Sequence, residues 1–167
     1  MSEHDKMSNI FKRLLTELHT DIFKPRGFKK SGQNFVFSCE NGLSKRINFQ
    51  KSRFNFDSFF SFTVNVEIYI FERGPVKGTR RYEGAVYCQR IGWMVNNHDK
   101  WWDIGDYTYE ELYNDIKSDF TDSVFPLLDS LQTPESVYEL YLSGTVKNGW
   151  TGHGEKKRIT EKIKNRI

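Results

Sequence analysis

The chain has 167 residues with a formal net charge of +3, and 37% of its residues are hydrophobic, which suits one domain with its own core. Its mean hydropathy is −0.67 and no apolar run approaches the roughly 18 residues that cross a bilayer, so we expect no membrane span. The composition is unusual in its aromatic content, with 14 Phe, 8 Tyr and 4 Trp.

The number of cysteines and the N-terminal residues indicate the cellular compartment in which the protein is expected. Only Cys39 and Cys88 occur, and neither has the spacing of a metal or redox site. The first seven residues lack the apolar stretch of a secretory signal. We therefore expect a cytoplasmic protein with free thiols and no cofactor, with a single disulfide between adjacent strands as the alternative.

The first half of the chain changes from a helical to a strand period. Residues 8–23 predict an amphipathic helix capped by Ser8 and ended by Pro25 and Gly27. Alternating patterns and the Asn41–Gly42 turn signal then predict strands over 35–39, 43–51, 59–71 and 84–94. In the strand over 59–71 one face is apolar and predicted as core, and the other is mixed and expected to be half exposed. Residues 72–82 are expected to form a polar loop.

The second half predicts helices after a turn region over 95–107. A helix should begin at Thr108, which forms a T-x-x-E capping pattern with Glu111, and Pro126 should kink or split it. Another helix should begin at Thr133 and Pro134. This order predicts an α+β fold in which an antiparallel sheet of four to five strands packs against an N-terminal helix and C-terminal helices.

Three regions follow from this pattern. We expect a single α+β domain over residues 1–142, a glycine-rich linker over 143–154 and a basic amphipathic tail helix over 155–167.

Several stretches together resemble one protein family. They are the opening helix, Gly27 to Lys30 with Gly32 and Phe35, Ile47 to Ser52, Arg90 to Gly92, Trp101–Trp102 and Phe125–Pro126. In order and spacing, over roughly residues 8–142, the chain is similar to domain of unknown function family 4304, a group of mostly bacterial proteins. The resemblance implies a compact α+β domain and transfers no activity.

Charge is segregated along the chain. Residues 24–53 contain eight basic residues and one acidic residue, whereas residues 96–139 contain two basic and eleven acidic residues. Segregated charge can steer a partner. The simpler interpretation, which we prefer, is that the two segments face each other or face water.

One candidate binding region is basic and aromatic. Aromatic side chains among basic groups can stack bases while they neutralise phosphates, which is typical of nucleic-acid binding. The residues concerned are Lys45, Arg46, Lys51, Arg53 and Phe59.

The second candidate region is the turn over 95–107. His98, Asp99, Asp103 and Asp106 could hold a divalent metal ion, or act as a base and the group that orients it. Their spacing matches no established motif, and the acids also suit the approach to a helix.

Trp93, Trp101 and Trp102 could bind a flat or cationic ligand, or could instead close one end of the core. Trp102 is expected to be the exposed tryptophan of the adjacent pair, and Arg90 could contribute to a site at this turn.

These features favour a non-enzymatic, macromolecule-binding module of the protein-interaction or immunity type, with a protein as its partner. The first alternative is a small hydrolase, or a metal-binding or small-molecule-binding protein, with its site near the 95–107 turn. The second alternative is nucleic-acid binding through the basic 45–59 region. The sequence leaves the oligomeric state open.

Overall fold

The computed structural model describes residues 1–40, 42–56, 58–70 and 85–143, with the backbone alone at 141 and 142. The predicted polar loop over 72–82 and tail helix over 155–167 lie outside the described residues. So does the predicted linker beyond Ser143. In the described ranges no helix has both the length and the apolar character needed to cross a bilayer.

Helix α1 (Glu3–Leu18) begins five residues before the predicted start. The prediction of Ser8 as its cap is wrong, because Ser2 and Asp5 form a capping box in which each side chain accepts a hydrogen bond from the other residue's backbone N–H. A π-helical turn (His19–Phe23) and a 3-10 turn (Lys24–Arg26) extend the helix to Gly27. Gly27 has φ = 85°, a left-handed conformation that ends the helix where the sequence predicts.

Within the described part of the chain, six strands form one antiparallel sheet. Strands β1 to β5 lie in sequence order, and β6 pairs with the start of β4. Gly42, at φ = 85°, completes the predicted hairpin turn between β2 and β3. The strand bounds are β1 Lys29–Ser31, β2 Asn34–Ser38, β3 Leu43–Lys51, β4 Ser61–Ile70, β5 Ala85–Arg90 and β6 Trp102–Asp103.

Both faces of β4 are buried, which corrects the prediction that one face is half exposed. The apolar face carries the predicted core side chains. The opposite face is polar, and its side chains bond to other polar groups: Asn65 Nδ2 donates to Gln50 Oε1 at 2.9 Å, and Thr63 Oγ1 donates to the Lys100 carbonyl at 2.7 Å. Polar groups that are hydrogen-bonded can be buried at little cost in free energy. The polar residues on this face of β4 are therefore buried, although their alternation in the sequence predicted partial exposure.

Strand β5 ends at Arg90, and the predicted continuation of this strand to residue 94 is wrong. The chain instead forms the short helix α2 (Ile91–Val95) and folds back over itself. A Cβ atom at Gly92 would lie 2.3 Å from the His98 carbonyl oxygen and 2.4 Å from the Lys100 backbone nitrogen. Such a close approach is possible only at a glycine.

Helix α3 (Tyr109–Asp119) begins with the predicted capping box of Thr108 and Glu111. A π-helical turn (Phe120–Val124) leads into α4 (Phe125–Ser130), which has Pro126 in its first turn. The helical path therefore continues through Pro126, with a π-helical turn before it, and is not split there. Helix α5 (Pro134–Leu142) follows.

Much of the aromatic content lies in the core between the helices and the sheet. Phe23 stacks on Phe35 of β2 with ring centroids 4.3 Å apart, and its edge meets Phe120 at 4.9 Å. Aromatic packing of this kind joins the end of α1, the sheet and the C-terminal helices. The predicted α+β fold is therefore confirmed.

Candidate functional site

A cleft of about 760 Å³ opens at one end of the sheet. Gln50, Ser61 and Asp103 line it from three neighbouring strands, because β4 pairs with β3 on one side and with β6 on the other. The remaining lining comes from the loop after β3, the end of β5 and the turn around β6. These residues are Ser52, Arg53, Phe54, Phe59, Arg90, Trp101, Asp106 and Tyr107.

The loop between β3 and β4 forms the first wall. Asn55 holds it in place, since its Nδ2 donates to the Ser61 carbonyl at 3.0 Å and its Oδ1 accepts from the Ser61 N–H at 2.8 Å. The loop exposes Phe54, at 76% of its surface, and Phe59, at 39%. The described part of this loop therefore presents two apolar rings to the cleft.

Asp99 fixes the aromatic side chain of the second wall. Its Oδ2 accepts from Arg90 Nη1 at 2.5 Å and from Trp101 Nε1 at 3.0 Å. The Arg90 guanidinium also lies 5.2 Å from the centre of the Trp101 ring. The sequence placed Asp99 only in the candidate metal cluster. Its contacts with Arg90 and Trp101 were not predicted, although a carboxylate two positions before a tryptophan and nine after an arginine was a signal that could have suggested them.

Trp102 is fully buried, so the prediction that it is the exposed tryptophan of the pair is wrong. Successive residues of a strand point to opposite faces, and within β6 the inward position belongs to Trp102. Its ring stacks on Phe62 at 5.5 Å and its Nε1 donates to Asp115 Oδ2 at 2.6 Å. Trp101, at 37% exposure, is the tryptophan that lines the cleft.

Lys100 anchors the same turn to helix α3. Its Nζ lies 2.8 Å from Asp115 Oδ2 and 2.7 Å from Asp119 Oδ2. Burial raises the pKa of Asp119. The nearby charge of Lys100 lowers this pKa, but not enough to cancel the effect of burial. Burial also opposes the charge of Lys100, but its hydrogen bonds to Asp115 and Asp119 outweigh burial and raise its pKa. The turn that carries Trp101 is thus tied to the helical layer.

The cleft presents free charge of both signs. Arg53 and Asp106 are exposed side chains that have no hydrogen bond or ion pair with any described residue. Asp103 uses Oδ1 to accept from the Gly105 N–H at 3.0 Å. A ligand could therefore meet a guanidinium and carboxylates in one cavity.

The candidate metal ligands do not converge. His98 is outside the cleft lining, and its Nδ1 lies 2.9 Å from the Asp99 carbonyl oxygen, whereas Asp103 and Asp106 both line the cleft. Over the ranges that the structure describes, no group of three His, Cys, Asp or Glu side chains could hold a metal ion. Cys39 and Cys88 are both free.

The basic residues of the 45–59 region are not presented on one surface. Lys45 is buried on the helical side, where its Nζ donates to the Leu128 carbonyl at 2.5 Å and burial lowers its pKa. Arg46 points the other way and pairs with Glu67 at 2.5 Å. Lys51 lies over Phe11 and Phe60, and of the four basic residues only Arg53 lines the cleft.

Residues 19–130, about two thirds of the chain, match the profile of a family described as Domain of unknown function (DUF4304). No curated protein and no solved structure matches the chain.

Proposed function

The chain belongs to the DUF4304 family of domains of unknown function, and because this membership assigns no activity, we propose a function from the cleft itself: non-catalytic binding of a small ligand that has a flat apolar part. This proposal is the binding form of the first alternative that the sequence left open, with the site at the 95–107 turn.

The dimensions of the cleft support the proposal. A volume of about 760 Å³ lies within the range of about 300 to 1,000 Å³ that is usual for small-molecule sites. Such sites combine apolar walls with a few polar groups, and they are held by rigid elements. Here three neighbouring strands carry part of the lining, while Asn55 and Asp99 fix the two walls.

The observation that carries the proposal is the convergence of exposed aromatic side chains. Phe54, Phe59 and Trp101 belong to the small set of large hydrophobic side chains that the described residues expose, and all three line this one cleft. A ligand that covers them gains about 25 cal/mol for each Å² of apolar surface removed from water. Flat rings are the groups that aromatic walls hold best.

Binding rather than catalysis is proposed because the lining has no nucleophile paired with a base. The described lining contains neither histidine nor cysteine. Ser52 Oγ accepts a hydrogen bond from the Phe54 N–H, and Ser61 is buried. A nucleophilic mechanism needs a base within hydrogen-bond reach of the nucleophile.

The first prediction tests the cleft with the dye anilinonaphthalene sulfonate, whose fluorescence rises when its rings leave water. The full chain should bind the dye saturably at one site. Trp101→Ala should weaken binding by about tenfold, because a truncated aromatic anchor commonly costs more than 1 kcal/mol. Fluorescence titration, with circular dichroism to confirm folding, measures both effects.

Trp93 supplies a matched control. It has the same 37% exposure as Trp101 but does not line the cleft, so Trp93→Ala should leave the dye affinity unchanged. Equal losses in the two variants, or dye binding that does not saturate, would contradict the proposed function.

A further inference from the structure

We propose that the ligand of this cleft is a short peptide of about two residues that carries an aromatic side chain and has both its amino and carboxyl ends free. This inference rests on the proposed function, and it names the chemical class of the ligand.

The first step is the placement of charge on the two sides of β4. Arg53 follows the end of β3, and Asp103 lies on β6, so β4 separates the guanidinium from this carboxylate. Asp106 lies beyond Asp103 on the same side. An ammonium group suits Asp103 and Asp106, and a carboxylate suits Arg53, which can bind it with two parallel hydrogen bonds.

The second step is the balance of charge, which disfavours phosphate ligands. The cleft has as many carboxylates as guanidiniums, namely Asp103 and Asp106 against Arg53 and Arg90. Arg90 is already paired with Asp99 at 2.5 Å. A nucleotide phosphate would therefore meet one free arginine and two carboxylates, whereas a zwitterion meets an opposite charge at each end.

The third step is length. The strands on either side of β4 lie about 10 Å apart, because neighbouring strands are separated by about 4.8 Å. An extended dipeptide spans about 7 Å. The gap of about 3 Å between these two lengths would be bridged by side chains that extend into the cleft from both sides. The side chain of Arg53 is long, and those of Asp103 and Asp106 are short. In a free amino acid the two charges lie too close together to meet both walls.

The fourth step is the aromatic group. Each wall contributes one partly exposed ring to the cleft, Phe59 from the loop between β3 and β4 and Trp101 from the turn before β6. An aromatic side chain of the peptide can stack between the walls. An aliphatic side chain would lose the ring contacts, each of which contributes beyond the area that it buries.

The test uses phenylalanyl-glycine and three blocked forms: the N-acetyl peptide, the C-terminal amide and the doubly blocked peptide. Calorimetric titration of the full chain should give the tightest binding for the unblocked peptide. Each blocked end should weaken binding by about fivefold, as expected for one solvent-accessible ion pair. Blocking both ends should weaken it by about 25-fold if the two ends bind independently.

Two variants assign each end to its wall. Arg53→Gln should abolish the preference for a free carboxylate and keep the preference for a free amine. Asp106→Asn should do the opposite. Neither side chain bonds to any described residue, so both variants should fold, which circular dichroism checks.

The outcomes separate this inference from the proposed function. The peptide inference is overturned if all four peptides bind with equal affinity or if none of them binds. If dye binding still depends on Trp101 in that case, the proposed function stands. Tighter binding of adenosine monophosphate than of phenylalanyl-glycine overturns the peptide inference too. Dye binding that does not depend on Trp101 overturns the proposed function itself.

Discussion

Glu67 lies in the central part of β4, and its carboxylate is fully buried. Its Oε2 accepts hydrogen bonds from Arg46 Nε at 2.5 Å and from the Tyr69 hydroxyl at 2.7 Å, while its Oε1 has no partner among the described residues. Burial raises the pKa of Tyr69, so the phenol keeps the proton that it donates to Glu67. The charge of Arg46 is thus the main compensation for burying this carboxylate.

The second prediction is that Glu67→Gln lowers the free energy of unfolding by about 2 kcal/mol, because Arg46 loses its counter-ion and an amide N–H₂ takes up a buried position without a matched acceptor. Urea denaturation measures this loss. Glu3→Gln, which breaks the exposed pair between Lys6 and Glu3, is the comparison and should change stability by less than about 1 kcal/mol. Equal losses in the two variants would contradict the prediction.

At the scale of single residues, strand alternation predicts the direction of a side chain only where the strand is long enough to be recognised. Phe49 and Phe62 lie in long strands and are buried, as their period predicts. Trp102 lies in a strand of two residues, and Trp101 directly precedes it; this strand exists because it pairs with Ser61 and Phe62 of β4. That pairing joins segments about 40 residues apart in the chain, so no local pattern could show which tryptophan is buried.

Among the elements, α2 depends on one close backbone approach. The three atoms nearest to a Cβ atom placed at Gly92 would all be under 3.0 Å away, and they belong to His98 and Lys100. Because two of them are backbone atoms, a side chain at position 92 must push the 98–100 segment away from α2. The same segment accepts the hydrogen bond from Thr63 and precedes Trp101.

The third prediction is that Gly92→Ala destabilises the domain by about 2 kcal/mol, the usual cost of overpacking a well-filled site, and weakens dye binding because Trp101 moves. Thermal unfolding and dye titration measure the two effects. Gly105→Ala is the control, since its nearest contact would be an ordinary 3.5 Å and its φ is not positive. A Gly92→Ala protein as stable as the Gly105→Ala protein would contradict the prediction.

Element boundaries were predictable where local signals coincide. The bounds of β3, Leu43–Lys51, agree with the prediction because alternation and the Asn41–Gly42 turn signal specify the same register. The start of α3 agrees because a capping box is a local contact. The end of β5 could not be predicted, since it depends on the contact of Gly92 with residues that lie further along the chain.

Across the whole molecule, part of the segregated charge is used within the fold. Arg26, from the basic 24–53 segment, pairs with Asp129 of the acidic 96–139 segment at 2.9 Å. The cleft is also a product of the whole fold, because its lining comes from the 50–61, 90 and 101–107 regions. The sequence identified Arg53, Phe59, Arg90, Trp101, Asp103 and Asp106 as candidates. It divided them between two sites, because the pairing of β4 with β6 that brings them together has no local signature.

The fourth prediction concerns Lys100, which joins the turn of the cleft to α3 through Asp115 and Asp119. Lys100→Met should lower the free energy of unfolding by about 3 kcal/mol near neutral pH, because Asp119 stays buried without its cation and beside Asp115 and Asp122. Without the lysine, the pKa of Asp119 in the folded state lies still further above its unfolded value. The folded protein then binds a proton more readily than the unfolded chain, so the loss should shrink as the pH falls towards about 4.

Urea denaturation of the native chain and of Lys100→Met at both pH values measures this change. Adding Asp119→Asn to Lys100→Met should recover part of the stability at neutral pH, since it removes the uncompensated charge and keeps a side chain of similar volume. A loss of the same size at both pH values, with no recovery in the double variant, would mean that Lys100 acts through packing against Trp102, whose ring centre lies 4.8 Å from its Nζ. Recovery at neutral pH would instead show that the turn carrying Trp101 is held to α3 by an ion pair.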